Sequence, residues 1–365
     1  MDKIVNALGL MSGTSMDGID ASLIKSDGEQ YLDIIGNLYL KYDLELKNSL
    51  ESFSNKINSI EDVEKNFQEY KTLERKITIK HSEISSKICK EYNFNPRIVG
   101  FHGQTILHKP NEKYSIQIGN ASLLSQILKK DVIFNFRQND ILHGGDGAPL
   151  TPIYHQLLKK KLNIKKPVVF LNIGGIANFT YISNEHFLAK DIGPGNCLMD
   201  TYIKKIKKLN YDENGKIASQ GKIDLTLINN ILDHEYYNSI KKHSFDKKDF
   251  DINFVKGLSL EDALANLNYF TAKVISENIM KELKGEFEII LCGGGRKNNT
   301  LIKNLENLVN KKIIRIDQFD IDGDYIESQA FGYLSIRSLY KKIISFPSTT
   351  KVSNPITGGE LVSFS

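Results

Sequence analysis

The chain has 365 residues, of which 41% are hydrophobic and 25% charged, and its net charge is +4 at pH 7. Such a composition is ordinary for a soluble globular protein, and single cores stop growing at roughly 250–300 residues, so this length can hold two. The small net charge gives no argument for nucleic acid binding, and no stretch approaches the about 18 uninterrupted apolar residues of a membrane span. Three widely spaced cysteines and the lack of a secretory signal predict a cytoplasmic protein.

Three consecutive strands are predicted near the N-terminus, at residues 4–10, 21–25 and 32–42. The most informative stretch of the chain is residues 9–20, which read GLMSGTSMDGID. It predicts a β-hairpin whose turn combines glycines with hydroxyls and carboxylates. Glycines let a backbone approach an anion closely, and successive N–H groups of a turn form an anion-binding nest. We therefore predict that the turn binds a polyphosphate with its metal; an ordinary polar hairpin is the alternative.

Helices and strands then alternate up to a glycine-rich loop. A helix capped by Ser59 is predicted to continue through Ile88, and the later elements are a strand at 98–101, a strand at 116–118, a helix at 121–128, a strand at 132–136 and the loop at 144–149. Arg137 follows the last strand, where it is placed to clamp an anionic group or to form a structural ion pair. His102 and His143 flank glycine-rich segments, and for each of them both a ligand contact and a structural hydrogen bond are open.

A second hairpin repeats the pattern of the first. After a helix at 151–164 and a strand at 168–172, residues 171–180 read LNIGGIANFT. Two strand–turn–strand units imply two similar halves, each beginning with a β-meander and continuing with helices and strands. The pattern predicts an α/β protein with mixed sheets.

Asp191 marks a second centre of interest. A strand at 187–189 is predicted to deliver it into a Gly-Pro-Gly turn, before a helix that starts near Cys197. An aspartate in this position can project into a cleft as a general base. A turn or cap residue is the alternative.

The last third predicts a helix at 258–283, a strand at 289–292, a helix at 298–309, a strand at 313–316, a helix at 327–339 and a loose tail. Gly293–Gly295 open the second of these helices, which suits close approach of a nucleotide's sugar or base. Glu327 starts the last helix, where a carboxylate is favourable on electrostatic grounds alone. The sequence has no P-loop and no Cys/His metal cluster.

These segments together resemble a known family. Residues 9–20 resemble the opening signature of the anhydro-N-acetylmuramic acid kinases. Further matching segments lie at residues 100–105, 144–150, 172–180, 191–196, 291–296 and 327–339. The resemblance implies the superfold of sugar kinases, heat-shock chaperones and actin-like ATPases: two α/β lobes with mixed sheets flanked by helices, and ATP in a deep cleft between them. We predict one lobe from residues 1–125 and 333–365, and the other from residues 126–332.

The resemblance also assigns roles to residues. It implies ATP and Mg²⁺ as cofactors, with no residue singled out as the metal ligand. The nucleotide-binding positions are Gly13, Thr14, Ser15, Met16, Asp17, Gly18, Ile19, Asp20, Asn172, Gly174, Gly175, Asn178, Gly293, Gly294 and Gly295. Asp191 matches the catalytic base. Ser12, His102, Arg137 and Glu327 match substrate-side positions.

The implied reaction joins hydrolysis to phosphorylation. Water opens the 1,6-anhydro ring of anhydro-N-acetylmuramic acid, the released 6-oxygen takes the γ-phosphoryl group of ATP, and N-acetylmuramate 6-phosphate is formed in cell-wall sugar recycling. A sugar kinase acting on a free hydroxyl and a non-catalytic nucleotide- or sugar-binding regulator are the alternatives. The expected partners are small molecules, without nucleic acid or membrane, and a homodimer is left open.

Three positions depart from the family pattern. Ile192 replaces the usual Thr, Asp146 replaces the usual Gln of the glycine-rich loop, and His143 stands where a small residue is common. We expect these departures to bear on substrate contacts and not on the nucleotide scaffold or on Asp191.

Overall fold

A computed structural model describes residues 3–233 and 252–364. The chain forms two compact units, which we call the first and the second unit. The first unit consists of Met1–Asn163 and Tyr325–Ser365, and the second of Ile164–Asp324. The second unit is therefore inserted, in sequence, between the two segments of the first.

The described strands form one sheet in each unit. They are β1 (Val5–Ser12), β2 (Gly18–Ser26), β3 (Leu32–Lys41), β4 (Ile98–Lys109), β5 (Tyr114–Ile118), β6 (Asp131–Phe134), β7 (Val168–Ile173), β8 (Ile176–Ile182), β9 (Phe187–Pro194), β10 (Glu288–Cys292), β11 (Ile313–Arg315) and β12 (Glu360–Val362).

Helices connect and cover these strands. They are α1 (Leu44–Lys56), α2 (Ile60–Lys65), α3 (Phe67–Glu91), α4 (Ala121–Leu128), α5 (Gln138–Leu142), α6 (Pro152–Lys161), α7 (Cys197–Lys207), α8 (Leu225–Asp233), α9 (Leu260–Glu282), α10 (Asn299–Val309), α11 (Ile326–Leu339) and α12 (Pro347–Thr350). Within the described residues, none of the helices is long and apolar enough to cross a membrane.

The two sheets share one strand order. In the first unit it is β12-β6-β4-β1-β2-β3, with β5 paired to β4, and in the second it is β11-β10-β7-β8-β9. Each sheet begins with an antiparallel meander, β1-β2-β3 or β7-β8-β9. Two strands then join in parallel on the other side of the first strand. The predicted α/β class with mixed sheets and two similar halves is confirmed.

Helix α11 lies against the sheet of the first unit at backbone distance. A Cβ on Gly9 of β1 would lie 1.9 Å from the carbonyl oxygen of Ser328, and a Cβ on Gly100 of β4 would lie 2.2 Å from that of Phe331. The two glycines therefore allow a close approach that any other residue would prevent. The opposite face of the sheet packs its apolar side chains against α1, α3 and α4.

The sheet of the second unit also has two different faces. Val169, Leu171 and Ile173 of β7 point into a core that includes side chains of α7, α9 and α10. Because successive side chains of a strand alternate between faces, Asn172 lies on the face opposite this core.

The structure divides the chain at other residues than the sequence predicted. Residues 126–163 belong to the first unit, because β6 in this stretch pairs with β4 of the first sheet. Residues 325–332 belong there too, since the whole of α11 packs on that sheet. The boundaries thus lie at 163/164 and 324/325 instead of 125/126 and 332/333.

Three element predictions were wrong. The sequence reading missed α1, although Asp43 caps it by accepting a hydrogen bond from the Leu46 N–H at 2.8 Å. The helix predicted to begin at Ser59 is interrupted at Asn66, so that Ser59 caps only the short α2. The tail is not loose, because β12 pairs with the edge strand β6.

Candidate active site

The turn between β1 and β2 presents polar groups at its surface. Thr14, Ser15 and Asp17 are exposed, and the Ser15 hydroxyl donates to the Asp17 carboxylate at 2.5 Å. Met16 has a positive φ of 53° and donates its N–H to the Gly13 carbonyl at 3.1 Å. The turn is therefore closed by its own backbone, while its hydroxyls and carboxylate face outward.

Two side chains hold this turn from behind, the buried Gln104 and the exposed Tyr39. The Gln104 amide nitrogen donates to the Gly13 carbonyl at 2.9 Å, and the Tyr39 hydroxyl donates to the Asp17 carbonyl at 2.9 Å. Gln104 is fully buried, and its Oε1 has no hydrogen-bond partner among the described residues. The sequence reading missed Gln104, although it lies within the matching segment at residues 100–105.

Some predicted ligand contacts of this segment are not supported by their positions. The side chains of Met16 and Ile19 are buried in the core of the first unit, so only their backbone groups are available to a nucleotide. Ser12 is also fully buried, and its hydroxyl is hydrogen-bonded to the Tyr42 hydroxyl at 2.8 Å and to His81 Nε2 at 3.2 Å. A sugar cannot reach Ser12 in this arrangement.

The glycines of the turn differ in what they permit. A Cβ on Gly13 would meet only the Ser15 hydroxyl, at 3.9 Å, whereas a Cβ on Gly18 would lie 2.5 Å from the Leu40 carbonyl oxygen. Gly18 is therefore required by the packing of β2 on β3. Gly13 is the position where a missing side chain leaves open space for a ligand.

Two carboxylates lie close to this turn. Burial and the charges of Asp17 and Asp20 raise the pKa of Tyr39, which indicates that both carboxylates lie near its ring. Within the described ranges, no group of three or more His, Cys, Asp or Glu side chains is arranged to hold a metal ion.

The turn between β7 and β8 uses its carbonyl groups internally. The Gly174 carbonyl accepts from the Asn196 N–H at 2.8 Å, and the Gly175 carbonyl accepts from the N–H groups of Gly195 and Cys197 at 2.9 and 3.2 Å. A Cβ on Gly195 would lie 2.2 Å from the Gly174 carbonyl oxygen. The turn is thus fixed to the segment that leads into α7.

Asn172, Asn178 and Asp191 lie side by side on three strands. Asn172 of β7 pairs with Asn178 of β8, and Asn178 pairs with Asp191 of β9. Directly paired residues of antiparallel strands share a face, so the three polar side chains form one row on the face opposite the core. All three are partly exposed.

The strand carrying Asp191 is longer than predicted. Strand β9 continues to Pro194, and Asp191 lies within it next to a shift of register instead of in a turn after its end. The helix predicted near Cys197 does begin there. Ile192 is fully buried in the core of the second unit, so this departure from the family pattern contributes to packing and not to the polar row.

Gly293–Gly295 form a tight turn against the end of β7. A Cβ on Gly293 would lie 2.3 Å from Asn172 Oδ1, and a Cβ on Gly295 would lie 2.4 Å from Ile173 Cγ2. Gly294 is exposed, and a Cβ on it would meet only Asn196 Nδ2, at 3.8 Å. Two of the three glycines are therefore needed for packing, and only Gly294 leaves room for a ligand.

His102 and Arg137 come together in the first unit. His102 Nδ1 is 2.7 Å from the Gly103 carbonyl. A carbonyl can only accept, so Nδ1 carries the proton and Nε2 accepts from Arg137 Nη2 at 2.9 Å. Burial and the Arg137 charge hold the pKa of His102 well below its usual range. His102 is only 4% exposed, so it orients Arg137 instead of contacting a sugar.

Arg137 is held at a second point and influences Glu327. Its Nη1 donates to the Gly147 carbonyl at 2.8 Å. Desolvation raises the pKa of Glu327, while the Arg137 charge lowers it, which indicates that the two side chains are neighbours. The structure therefore brings together His102, Arg137 and Glu327, while the Ser12 hydroxyl is bonded to Tyr42 and His81.

Asp146 and His143, which depart from the family pattern near the glycine-rich loop, each contact another residue of the first unit. The Asp146 carboxylate pairs with Lys351 at 2.7 Å, and His143 is exposed with its Nδ1 2.8 Å from the Asn139 carbonyl. Neither contact involves His102, Arg137 or Glu327.

A buried arginine is the main feature that the sequence reading missed. Arg296 follows the Gly293–Gly295 turn, is 3% exposed and pairs with three aspartates. It lies inside the matching segment at residues 291–296, but a single arginine there gives no sign of burial.

Comparison with known proteins gives one consistent result. The sequence profile of the family described as anhydro-N-acetylmuramic acid kinase matches residues 5–363. A protein of that name from Pelagibacter ubique (strain HTCC1062) is 49% identical over 372 residues, which cover 99% of this chain and 99% of the relative. Another from Zymomonas mobilis subsp. mobilis (strain ATCC 31821 / ZM4 / CP4) is 35% identical over 366 residues, which cover 97% of this chain and 99% of the relative.

Solved structures are more distant. Component A of the (R)-2-hydroxyglutaryl-CoA dehydratase of Acidaminococcus fermentans has a TM-score of 0.47 and 10% sequence identity, over 92% of this chain and 100% of that one. This likeness is too weak to bear on the chemistry of the site.

Proposed function

The chain belongs to the anhydro-N-acetylmuramic acid kinase family, and we propose that it opens the 1,6-anhydro ring with water and phosphorylates the released 6-oxygen. The family profile covers residues 5–363, and a relative of that name is 49% identical over nearly the full length of both chains. The protein is thus an ATP-dependent kinase with a small sugar substrate.

The row formed by Asn172, Asn178 and Asp191 is the observation that carries the proposal. A carboxylate flanked by amides, on the polar face of the sheet and next to a glycine turn, suits proton transfer beside a bound phosphate chain. A purely regulatory binding protein has no need of such a base. The names of the relatives also favour a kinase over a regulator.

In the proposed reaction, one bond forms and one bond breaks at C1 of the sugar, and the same happens at the γ-phosphorus of ATP. The oxygen of water forms a bond to C1 of the sugar while the bond between C1 and O6 breaks. Asp191 accepts the proton that this water loses. The released O6 forms a bond to the γ-phosphorus of ATP, the bond from that phosphorus to the bridging oxygen breaks, and ADP leaves. Asp191 then returns its proton to solvent.

The side chains of the first unit would hold the sugar. Arg137 stays charged and is fixed by His102 and Gly147, so it suits the carboxylate of the lactyl group. Glu327, with its raised pKa, suits a hydrogen bond to a sugar hydroxyl or amide. The turn with Gly13, Thr14 and Ser15 would supply donors to the phosphate chain.

The residues present fit a Mg²⁺ ion that the protein and the nucleotide coordinate together. Mg²⁺ usually binds one or two carboxylates together with substrate phosphates and water. Asp20 is paired with Tyr39 across β2 and β3, and the Tyr39 hydroxyl donates to the Asp17 carbonyl. We propose that one of the two aspartates contributes to the metal site. When bound, the ion neutralises charge on the transferring phosphoryl group.

Two further predictions concern the setting of the protein. The cytoplasmic location stays a prediction, and a homodimer stays one of two open possibilities. Light scattering of the purified chain would decide between monomer and dimer.

Mass spectrometry of the product formed in oxygen-18 water tests the proposed reaction. We expect one labelled oxygen at C1 and an unlabelled oxygen between C6 and phosphorus. Because a sugar hemiacetal exchanges its C1 oxygen slowly with water, unlabelled product incubated for the same time gives the background. A product that keeps the anhydro ring and carries phosphate elsewhere would instead identify a kinase acting on a free hydroxyl.

A further inference from the structure

Three polar side chains are buried behind the turn that follows β1. They are Ser12 at the end of β1, Tyr42 directly after β3 and His81 in α3, and none of them is more than 3% exposed. The Ser12 oxygen is 2.8 Å from the Tyr42 hydroxyl and 3.2 Å from His81 Nε2. Residues from three distant parts of the sequence therefore meet at the residue that precedes the turn.

The histidine fixes the direction of these hydrogen bonds. His81 Nδ1 lies 2.8 Å from the Ile77 carbonyl, which can only accept, so Nδ1 carries the proton. Burial lowers the pKa of His81 to about 4, and the neutral ring therefore presents Nε2 as an acceptor. The Ser12 hydroxyl donates to Nε2, and its oxygen accepts from the Tyr42 hydroxyl. We call these bonds, from Tyr42 through Ser12 to His81, the buried chain.

The ring of His81 is itself held in place. Its centroid lies 4.9 Å from that of Phe101 in β4, in an edge-to-face arrangement that aromatic rings favour. In α3, the His81 carbonyl accepts from the Ser85 hydroxyl at 2.6 Å. The acceptor end of the buried chain is therefore fixed by both the helix and the sheet of the first unit.

Tyr42 holds the turn at both of its ends. Its hydroxyl bonds to Ser12, which precedes the turn, and its backbone N–H donates to the Asp17 carbonyl at 2.9 Å. Between these two points Met16 has a φ of 53°, a left-handed conformation that side chains disfavour. Such a conformation persists only where the surrounding structure imposes it, and bonds at both ends of the turn supply this constraint.

We propose that Ser12, Tyr42 and His81 are positioning residues that hold the turn at residues 13–17 in the conformation that receives the phosphate chain of ATP. This inference rests on the proposed function, which assigns the phosphate chain to this turn. Side chains that only stabilised the core would lower the melting temperature when replaced, but they would leave the affinity of the turn for ATP unchanged.

Tyr42→Phe removes one hydroxyl and keeps both the ring and the backbone bond to Asp17. Calorimetry of the full chain measures its affinity for a non-hydrolysable ATP analogue. We expect Kd to rise about 2–10-fold, the factor that corresponds to one hydrogen bond. KM for ATP should rise by a similar factor with little change in kcat, because the variant alters no group at the reacting atoms.

Tyr333→Phe is the matched control. Tyr333 is also almost fully buried in the first unit, and its hydroxyl donates at 3.0 Å to the Gly28 carbonyl, beyond the other end of β2. This variant should lower the melting temperature to a comparable extent, because it also loses a buried hydrogen bond. It should nevertheless bind the ATP analogue as the wild type does.

A double variant tests whether the bonds act as one chain. Ser12→Ala removes the central hydroxyl and with it both bonds, so adding Tyr42→Phe should raise Kd no further. Two independent contributions would instead multiply their factors. Should Tyr42→Phe fail to fold, Ser12→Ala alone takes its place in the comparison with Tyr333→Phe.

Wild-type affinity for the ATP analogue in a folded Tyr42→Phe or Ser12→Ala protein would overturn the inference, as would an equal loss of affinity in Tyr333→Phe or multiplied factors in the double variant. The proposed phosphate site is tested separately by Gly13→Val, because a Cβ on Gly13 would meet only the Ser15 hydroxyl, at 3.9 Å. If Gly13→Val binds the analogue as the wild type does, the assignment of the turn fails, whatever the buried chain does.

Discussion

The hairpin turn after β1 and the hairpin turn after β7 stand at equivalent places in two sheets of the same strand order. The first presents exposed side chains, Thr14, Ser15 and Asp17, and is held from behind by Gln104 and Tyr39. The second has no side chain in its turn, and its carbonyl groups are used by Gly195, Asn196 and Cys197.

The difference indicates that the two turns suit different roles. The first turn directs its donors outward and suits direct contact with phosphate oxygens. The second turn is fixed to the segment that leads into α7, and the proposed function assigns proton transfer to Asp191 in the polar row on its strands. Under that proposal, the same strand order serves phosphate binding in one unit and proton transfer in the other.

Replacing Asp191 should have the largest effect on activity. Asp191→Asn keeps the size of the side chain but cannot accept a proton, and loss of a general base costs about 10²–10⁴-fold in rate. The affinity for ATP should hardly change if the first turn binds the phosphates. The measurement is kcat for sugar-dependent ADP release, with calorimetry for ATP.

Asp224→Asn is the matched control for this change. Asp224 accepts a hydrogen bond from the Leu227 N–H at 3.0 Å at the start of α8, a position where Asn serves as well as Asp. Near-wild-type turnover in a folded Asp191→Asn protein would remove Asp191 from the mechanism.

Adding a single methyl group should affect stability at the second turn and ATP binding at the first. Gly195→Ala places a Cβ 2.2 Å from the Gly174 carbonyl, so we expect a loss of about 1–3 kcal/mol in the free energy of unfolding. Gly13→Ala meets open space, and it should leave the melting temperature unchanged while weakening ATP binding. Thermal denaturation and nucleotide titration of both variants check this. Equal melting temperatures would contradict the contrast.

The two units should also differ in their response to acid. Three histidines of the first unit are buried, His81, His102 and His155, and His108 is partly buried. Burial lowers the pKa of His81 and His108 to about 4 and that of His155 to about 3. Among the described residues of the second unit the only histidine is His186, which is exposed.

The sign of the effect follows from linkage. Below the unfolded pKa of 6.5, the unfolded chain binds protons that the folded first unit does not. The contribution of these histidines to stability is therefore fully present above this pH and is lost as the pH drops toward 4. Hydrogen exchange, corrected for its intrinsic pH dependence, should show earlier loss of protection in the first unit. Equal loss in both units would refute this.

We expect the smallest effect on activity from replacing Gln104, which supports the first turn. Gln104→Met keeps the volume but removes the hydrogen bond to Gly13, worth about 0.5–1.5 kcal/mol. KM for ATP should rise roughly 2–10-fold, with little change in kcat. Gln329→Met is the control, because Gln329 is equally buried but bonds to Asn37 and Tyr154 instead. A similar rise of KM in the control would assign the effect to general loosening.

Periodicity and glycine patterns were sufficient to predict the fold class, the two meanders and most helices. They did not predict α1, although Leu46, Leu50 and Phe53 have helical spacing. The unit boundaries depend on which strand β6 pairs with, and pairing between distant strands leaves no local trace in the sequence. The bound tail escaped prediction for the same reason.

For the candidate site, motifs indicated which segments matter but not which atoms face outward. Ser12 and Met16 lie in a segment of strong signature, yet their side chains are buried. His102 was expected at the substrate and instead orients Arg137. Such roles depend on side-chain neighbours from distant parts of the chain, as does the burial of Arg296.

Strand β12 covers β6 of the first unit, whose Val132 and Ile133 are almost fully buried. An uncovered, apolar edge strand offers its unpaired N–H and C=O groups to any other chain and is a site of aggregation. We therefore expect the pairing of residues 360–362 with β6 to lower the tendency of this sheet to self-associate, an effect on colloidal stability that is independent of nucleotide and sugar.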